Sequence, residues 1–168
     1  MVGPGPSAEE LGQILRIAAR TPDHGKLHPW RFVHVPHDRR EALAAVLTRA
    51  LATRNERETG AEREAVERFA FQAPELVVVL YSPKESAKIP EWEQLLSCGA
   101  ACMNLEHAAH ALGYTAGWIT GWAAYSDVVR DAFGQAPERI AGFFFIGTPA
   151  LSLEERARPS PIEVISRW

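Results

Sequence analysis

The sequence predicts a single globular domain in which helices and strands share one core, and three observations carry that expectation. Leu76-Val77-Val78-Val79-Leu80-Tyr81 and Phe143-Phe144-Phe145-Ile146 are unbroken apolar runs closed by Pro83 and by Gly147-Thr148-Pro149, the pattern of strands buried on both faces. Stretches of helical period separate them, and the 168 residues are 46% apolar and 23% charged, enough for a sizeable core. The net charge is −3 with both signs interspersed, so the chain carries no electrostatic footprint for nucleic acid or an anionic membrane. No run approaches the ~20 apolar residues that span a bilayer, and Met1-Val2-Gly3-Pro4-Gly5-Pro6 lacks the regions of a signal peptide. A cytoplasmic location and a small-molecule or protein partner are the expectations.

Ser7-Ala8-Glu9-Glu10 has capping-box spacing, and Leu11, Ile14, Leu15 and Ala18 follow on one face, predicting a helix to about Arg20. Pro22 and Gly25 stop it, and Pro29 pushes Leu27 and His28 toward extended geometry before a strand at 30–35. Leu43, Val46, Leu47, Ala50 and Leu51 make an amphipathic stripe, hence a surface-packed second helix. Charge dominates from Thr53 to Arg68, with Gly60 as a break between helical pieces, and this reads as a solvated face or mobile cover. The central strand at 76–81 comes next. Pro90 to Leu112 is helical and apolar or small nearly all round, so it must be buried, inside the domain or against a second subunit. A strand from Tyr114 to Thr120, a short helix near 128–133 and the strand at 143–146 complete the core. The tail from Ala150 to Trp168 has little helical signal but carries apolar groups, which an arm laid on a neighbouring subunit would bury.

Chemistry concentrates in the loop running from Arg20 into Trp30-Arg31-Phe32. Arg20, His24 and Lys26 offer donors to one anion or polar heterocycle, with Trp30 as apolar area beside them. An ordinary helix-to-strand connection, its charges solvated and Trp30 in the core, fits the same residues. Glycines at 113, 117 and 121 along a strand permit close backbone approach to something flat or bulky, or simply tight packing. Neither a dinucleotide-fold glycine motif, a Walker loop nor a serine-nucleophile elbow is present. His107 and His110 lack a completing metal ligand, and Cys98 and Cys102 read as buried small hydrophobes. With donors and flat surface but no evident catalytic side chain, any chemistry would come from a bound cofactor.

Arg20-Thr21-Pro22-Asp23-His24 followed by His28-Pro29-Trp30-Arg31-Phe32 resembles the first motif of the nitroreductase family of FMN enzymes, and most of all its minimal, YdjA-like branch. The similarity recurs at Lys88 to Gln94, Gly113 to Gly121 and Ile140 to Pro149, covering nearly the whole chain from Ser7 onward. This resemblance implies an α+β fold, a mixed β-sheet flanked by helices, with residues 1–168 as a single nitroreductase-like domain and 150–168 as an extended C-terminal arm. It implies a homodimer with shared active sites, FMN as cofactor, NAD(P)H as co-substrate, and ping-pong hydride transfer to an electron-poor acceptor such as a nitroaromatic or quinone. Arg20 and His24 match positions reaching the flavin of the partner subunit. Trp118, Ile119, Thr120 and Gly121 match the strand end beside the isoalloxazine, where a backbone N–H of Thr120 or Gly121 would donate to flavin N5. Arg156 and Arg158 match a basic pair at the FMN phosphate. No catalytic side chain and no metal are expected. The family's opening Arg-Arg-Ser segment has no counterpart here: either the chain starts short of the family pattern, or phosphate binding rests on the remaining cations and is weaker for it. Two rival readings are a catalytically impaired flavin- or ligand-binding member of the same fold, and a metal-dependent hydrolase using His24, His28 and Asp23.

Overall fold

A computed structural model describes residues 1–168 apart from Glu56, Glu58 and Leu153. Those three, two in the charged run and one in the tail, lie outside the described residues. Four strands form the sheet: β1 (Trp30–His34), β2 (Glu75–Tyr81), β3 (Thr115–Ile119) and β4 (Arg139–Gly147). Their order is β1-β2-β4-β3, and the register places Phe32 opposite Val79, Val78 opposite Phe143 and Trp118 opposite Phe144. The α+β class holds, but the sheet among the described residues is antiparallel throughout rather than mixed. The two apolar runs pair with each other at the centre, and β1 and β3 each lie reversed on an outer edge.

Side chains alternate along a strand, so β2 serves two cores. Leu76, Val78 and Leu80 join Phe143 and Phe145 beneath α2 (Arg40–Arg54) and α3 (Gly60–Phe71), with α5 (Gly121–Ala124) and α6 (Asp127–Arg130) on the same side. Val77, Val79 and Tyr81 join Phe144 and Ile146 beneath α1 (Ala8–Ala18) and α4 (Glu91–Ala111). Cys98 and Cys102 are free thiols buried in this second core, as small hydrophobes would be.

The capping box of α1 is formed: Ser7 Oγ accepts from the Glu10 N–H at 3.3 Å and the Glu10 carboxylate accepts from the Ser7 N–H at 2.8 Å. Thr59 and Glu62 make the same reciprocal cap for α3, so part of the charged run is a regular helix that buries Val66 and Ala70. Arg40 is fully buried and donates to the carbonyls of Val35, Ala70 and Pro74, fastening the end of α3 to the turn before β2. Within the chain α4 is buried on one face only, since Trp92 and Leu96 are 62% and 63% exposed and Leu95 and Met103 also face outward. Every described residue from Pro149 to Trp168 is exposed, including Ile162, Ile165 and Trp168, and its regular structure is one turn, α7 (Pro161–Val164). No helix among the described residues is long and apolar enough to cross a membrane.

Candidate active site

The loop after α1 is held onto α4 at several points. Thr21 Oγ1 donates to the Ala18 carbonyl and accepts from Asn104 Nδ2 at 2.8 Å, and Ser97 Oγ donates to the Pro22 carbonyl at 2.6 Å. The Asp23 carboxylate accepts from the His28 N–H at 2.8 Å. Gly25, with φ +76°, seats its backbone against Ile89. Lys26 and His28 also take positive φ, +56° and +50°, an arrangement side-chain-bearing residues adopt only where surroundings hold them there. The result is a fixed loop presenting polar groups outward. Arg20 and Lys26 are exposed and have no acidic partner among the described residues, while His24 Nδ1 lies 2.7 Å from Glu93 Oε2 in the first turn of α4. Trp30 does not join this surface: it is buried with Leu11, Ile14 and Val79, the core alternative.

Arg31, within the same motif, is a clamp. Its guanidinium donates to both Glu138 oxygens, at 2.9 and 3.1 Å, and to the Phe133 carbonyl at 2.6 Å, pinning the segment before β4 to the edge strand. A Cβ at Gly134 would meet the Glu138 carboxylate and the Arg31 guanidinium, so a side chain there would have to displace the clamp.

The second expected half of the site is the end of β3. Trp118 lies flat over β4, its Nε1 donating to the Ala141 carbonyl at 2.9 Å and its ring 5.3 Å from Phe144, with 40% of the residue exposed. Gly142 makes room for it, because a Cβ would run into the indole. Glu106 of α4 sits beside this strand; burial raises its carboxyl above the ordinary range, partly opposed by His110, the Trp118 backbone and His107. Ile119, Thr120 and Gly121 line a cavity of about 400 Å³ on the opposite face, with Leu47, Phe69 and Trp122 among its walls. Gly121 has φ +66° and opens α5, so its N–H has no intrahelical acceptor.

The two halves are not joined within the chain. They lie on opposite edges, three strand spacings or about 14 Å apart across the sheet, and are also offset along the strands, since the register puts Ile119 in the row of Val33 and not of Trp30. Arg156 and Arg158 are on the exposed tail, where Arg158 pairs with Glu155 at 2.7 Å, and nothing among the described residues ties them to either half. Sequence reasoning missed the roles of Ser97 and Asn104, which fix the loop, and of Glu93, which meets His24, because all three sit on a helix distant in sequence. For His24, His28 and Asp23, the described residues contain no group of three His, Cys, Asp or Glu placed to hold a metal ion.

Comparison with known proteins agrees with this architecture. The family described as the Nitroreductase family matches residues 3–148. A protein of Escherichia coli K12 named "Putative NAD(P)H nitroreductase YdjA" is 36% identical over 152 residues, covering 88% of this chain and 80% of that protein. A Haemophilus influenzae protein named "Putative NAD(P)H nitroreductase" is 35% identical over 161 residues, covering 94% and 86%. In fold, the chain is similar to a nitroreductase-like family protein from Bacillus cereus, with TM-score 0.80 at 20% identity over 98% of this chain and 86% of the other. It is also similar to the FMN and NADPH-dependent nitroreductase NfnB from Sphigopyxis sp. strain HMH, with TM-score 0.74 at 18% identity over 97% and 90%.

Proposed function

The chain belongs to the nitroreductase family of oxidoreductases, and from that premise we propose that it is an FMN-dependent NAD(P)H oxidoreductase acting as a homodimer with two shared sites. Residues 1–168 form one domain in this reading, and 150–168 serve as an arm on the neighbouring subunit. The observation that carries it is the pair of open half-sites on opposite sheet edges, in a protomer whose α4 exposes an apolar stripe and whose tail exposes Ile162, Ile165 and Trp168. A second copy would cover the stripe and bring the loop of one subunit to the strand end of the other.

The residues present fit a flavin. Trp118 supplies flat apolar surface on one face of the sheet and Ile119 apolar surface on the other, while among the described residues the Gly121 N–H is an unclaimed donor and Arg20 an unpaired cation. Arg156, and Arg158 once drawn from Glu155, would hold the phosphate dianion by charge-assisted hydrogen bonds. When bound, FMN supplies two-electron chemistry, taking a hydride from NAD(P)H and passing it to a nitroaromatic or quinone that replaces the nicotinamide. The protein's share is placement, exclusion of water by the Trp118 surface, and stabilisation of developing negative charge by Arg20, with Lys26 as a second cation.

The test is purified protein mixed with FMN and followed for NADH or NADPH oxidation with a nitroaromatic. Flavin uptake with turnover is the expected result. No spectral change and no turnover at saturating FMN would overturn the proposal.

A further inference from the structure

Resting on the flavin reading above, we propose that His24 and Glu93 form a proton-delivery pair for the acceptor half of the reaction. His24 Nε2 is the donating atom and Glu93 the positioning residue. The pair joins residues 69 apart in sequence at 2.7 Å, with the carboxylate on Nδ1. That choice leaves Nε2 as the outward ring nitrogen of a side chain 65% exposed, and no other carboxylate among the described residues bonds this ring, since Asp23 Oδ2 is engaged by the His28 N–H. A carboxylate on one imidazole nitrogen fixes both the tautomer and the aim of the other.

The pair is not needed as an anchor. Ser97, Asn104 and the Gly25–Ile89 contact already fasten the loop to its surroundings, and ion pairs this exposed contribute little to folding. What the contact adds is orientation, on a loop whose backbone is otherwise fixed. The loop's other imidazole, His28, has its carboxylate neighbour on the opposite nitrogen, Asp23 Oδ2 lying 3.9 Å from Nε2, so it is not oriented in the same way.

The step balances on a quinone. The acceptor gains a hydride, two electrons and one proton, from the reduced flavin that NAD(P)H regenerates, and becomes the hydroquinone anion. The donor is the His24 imidazolium, which carries a proton on each ring nitrogen: its Nε2–H bond then breaks and a second O–H bond forms. The imidazole is left neutral with its proton on Nδ1, still donated to Glu93, and water reprotonates Nε2.

The test uses the FMN-loaded wild type and the Glu93→Ala and Glu93→Asp variants. NADH-driven reduction and reoxidation by p-benzoquinone are timed separately by stopped flow, and ring ¹⁵N shifts of His24 are read in flavin-free protein. In the wild type the neutral ring should carry its proton on Nδ1. Glu93→Ala should move it to Nε2 and slow quinone reoxidation at least tenfold, while NADH-driven reduction stays within twofold. Reoxidation by ferricyanide, which takes electrons without a proton, should also be unchanged, and Glu93→Asp should recover much of the quinone rate. An unaltered quinone phase in Glu93→Ala, or a neutral wild-type ring whose one proton sits on Nε2 and not on Nδ1, would overturn the relay alone. A wild type that takes up no FMN would overturn the flavin reading beneath it.

Discussion

Arg20 follows the end of α1 with an exposed guanidinium and no acidic neighbour among the described residues, so removing it takes nothing from the fold. Arg20→Ala should leave the melting temperature within a degree or two and weaken FMN binding by roughly tenfold or more, the value of one charge-assisted hydrogen bond. Titration by flavin fluorescence checks both the affinity and the assignment. At this scale the sequence reveals what is local. The Ser7 and Glu10 cap is legible because both partners lie within one turn, whereas the bond between His24 and Glu93 spans 69 residues and leaves no spacing to read. Trp30 shows another limit: an aromatic residue suits a ligand wall and a core equally, and only packing against Leu11 and Val79 decides for the core.

Among the elements, α3 owes its attachment to Arg40, which burial holds below its ordinary basicity while the charge of Glu75 works the other way. Replacing Arg40 with Met strands the carbonyls of Val35, Ala70 and Pro74 without donors and should cost about 3 kcal/mol or more, read as a lower urea midpoint. The clamp between Arg31 and Glu138 has a pH signature. Hydrogen bonding from Arg31 holds the Glu138 carboxyl below its ordinary 4.5, so its contribution is complete above that value and is lost as pH falls through the lowered folded value. Glu138→Gln should therefore lower stability at neutral pH and flatten the acid limb of a stability curve below about pH 4.5. The long, strongly apolar elements were legible, β2 and α4 above all, because burial on both faces and helical period are written into composition. The Thr59 and Glu62 cap was hidden in a run whose charge spoke louder than its spacing.

For the whole molecule, the apolar stripe of α4 is the feature a lone protomer leaves unexplained. Leu96→Arg places a charge at its centre, on a side chain the core does not use, so it should yield a folded monomer by light scattering with an unchanged far-ultraviolet spectrum. A partner surface cannot be read from one chain's pattern, since an apolar helix face looks alike whether its own domain or a neighbour covers it. The α+β layering followed from the elements, but the wholly antiparallel order did not, because strand order depends on which edge each connection reaches. The central claim is that two subunits complete one flavin site between them. Its most direct measurement is FMN titration of the wild-type protein and of Leu96→Arg, each followed by flavin fluorescence with mass measured in parallel. One FMN per subunit on a wild-type dimer, and binding at least a hundredfold weaker on the monomeric variant, is the predicted result; equal FMN affinity in a monomer would contradict it.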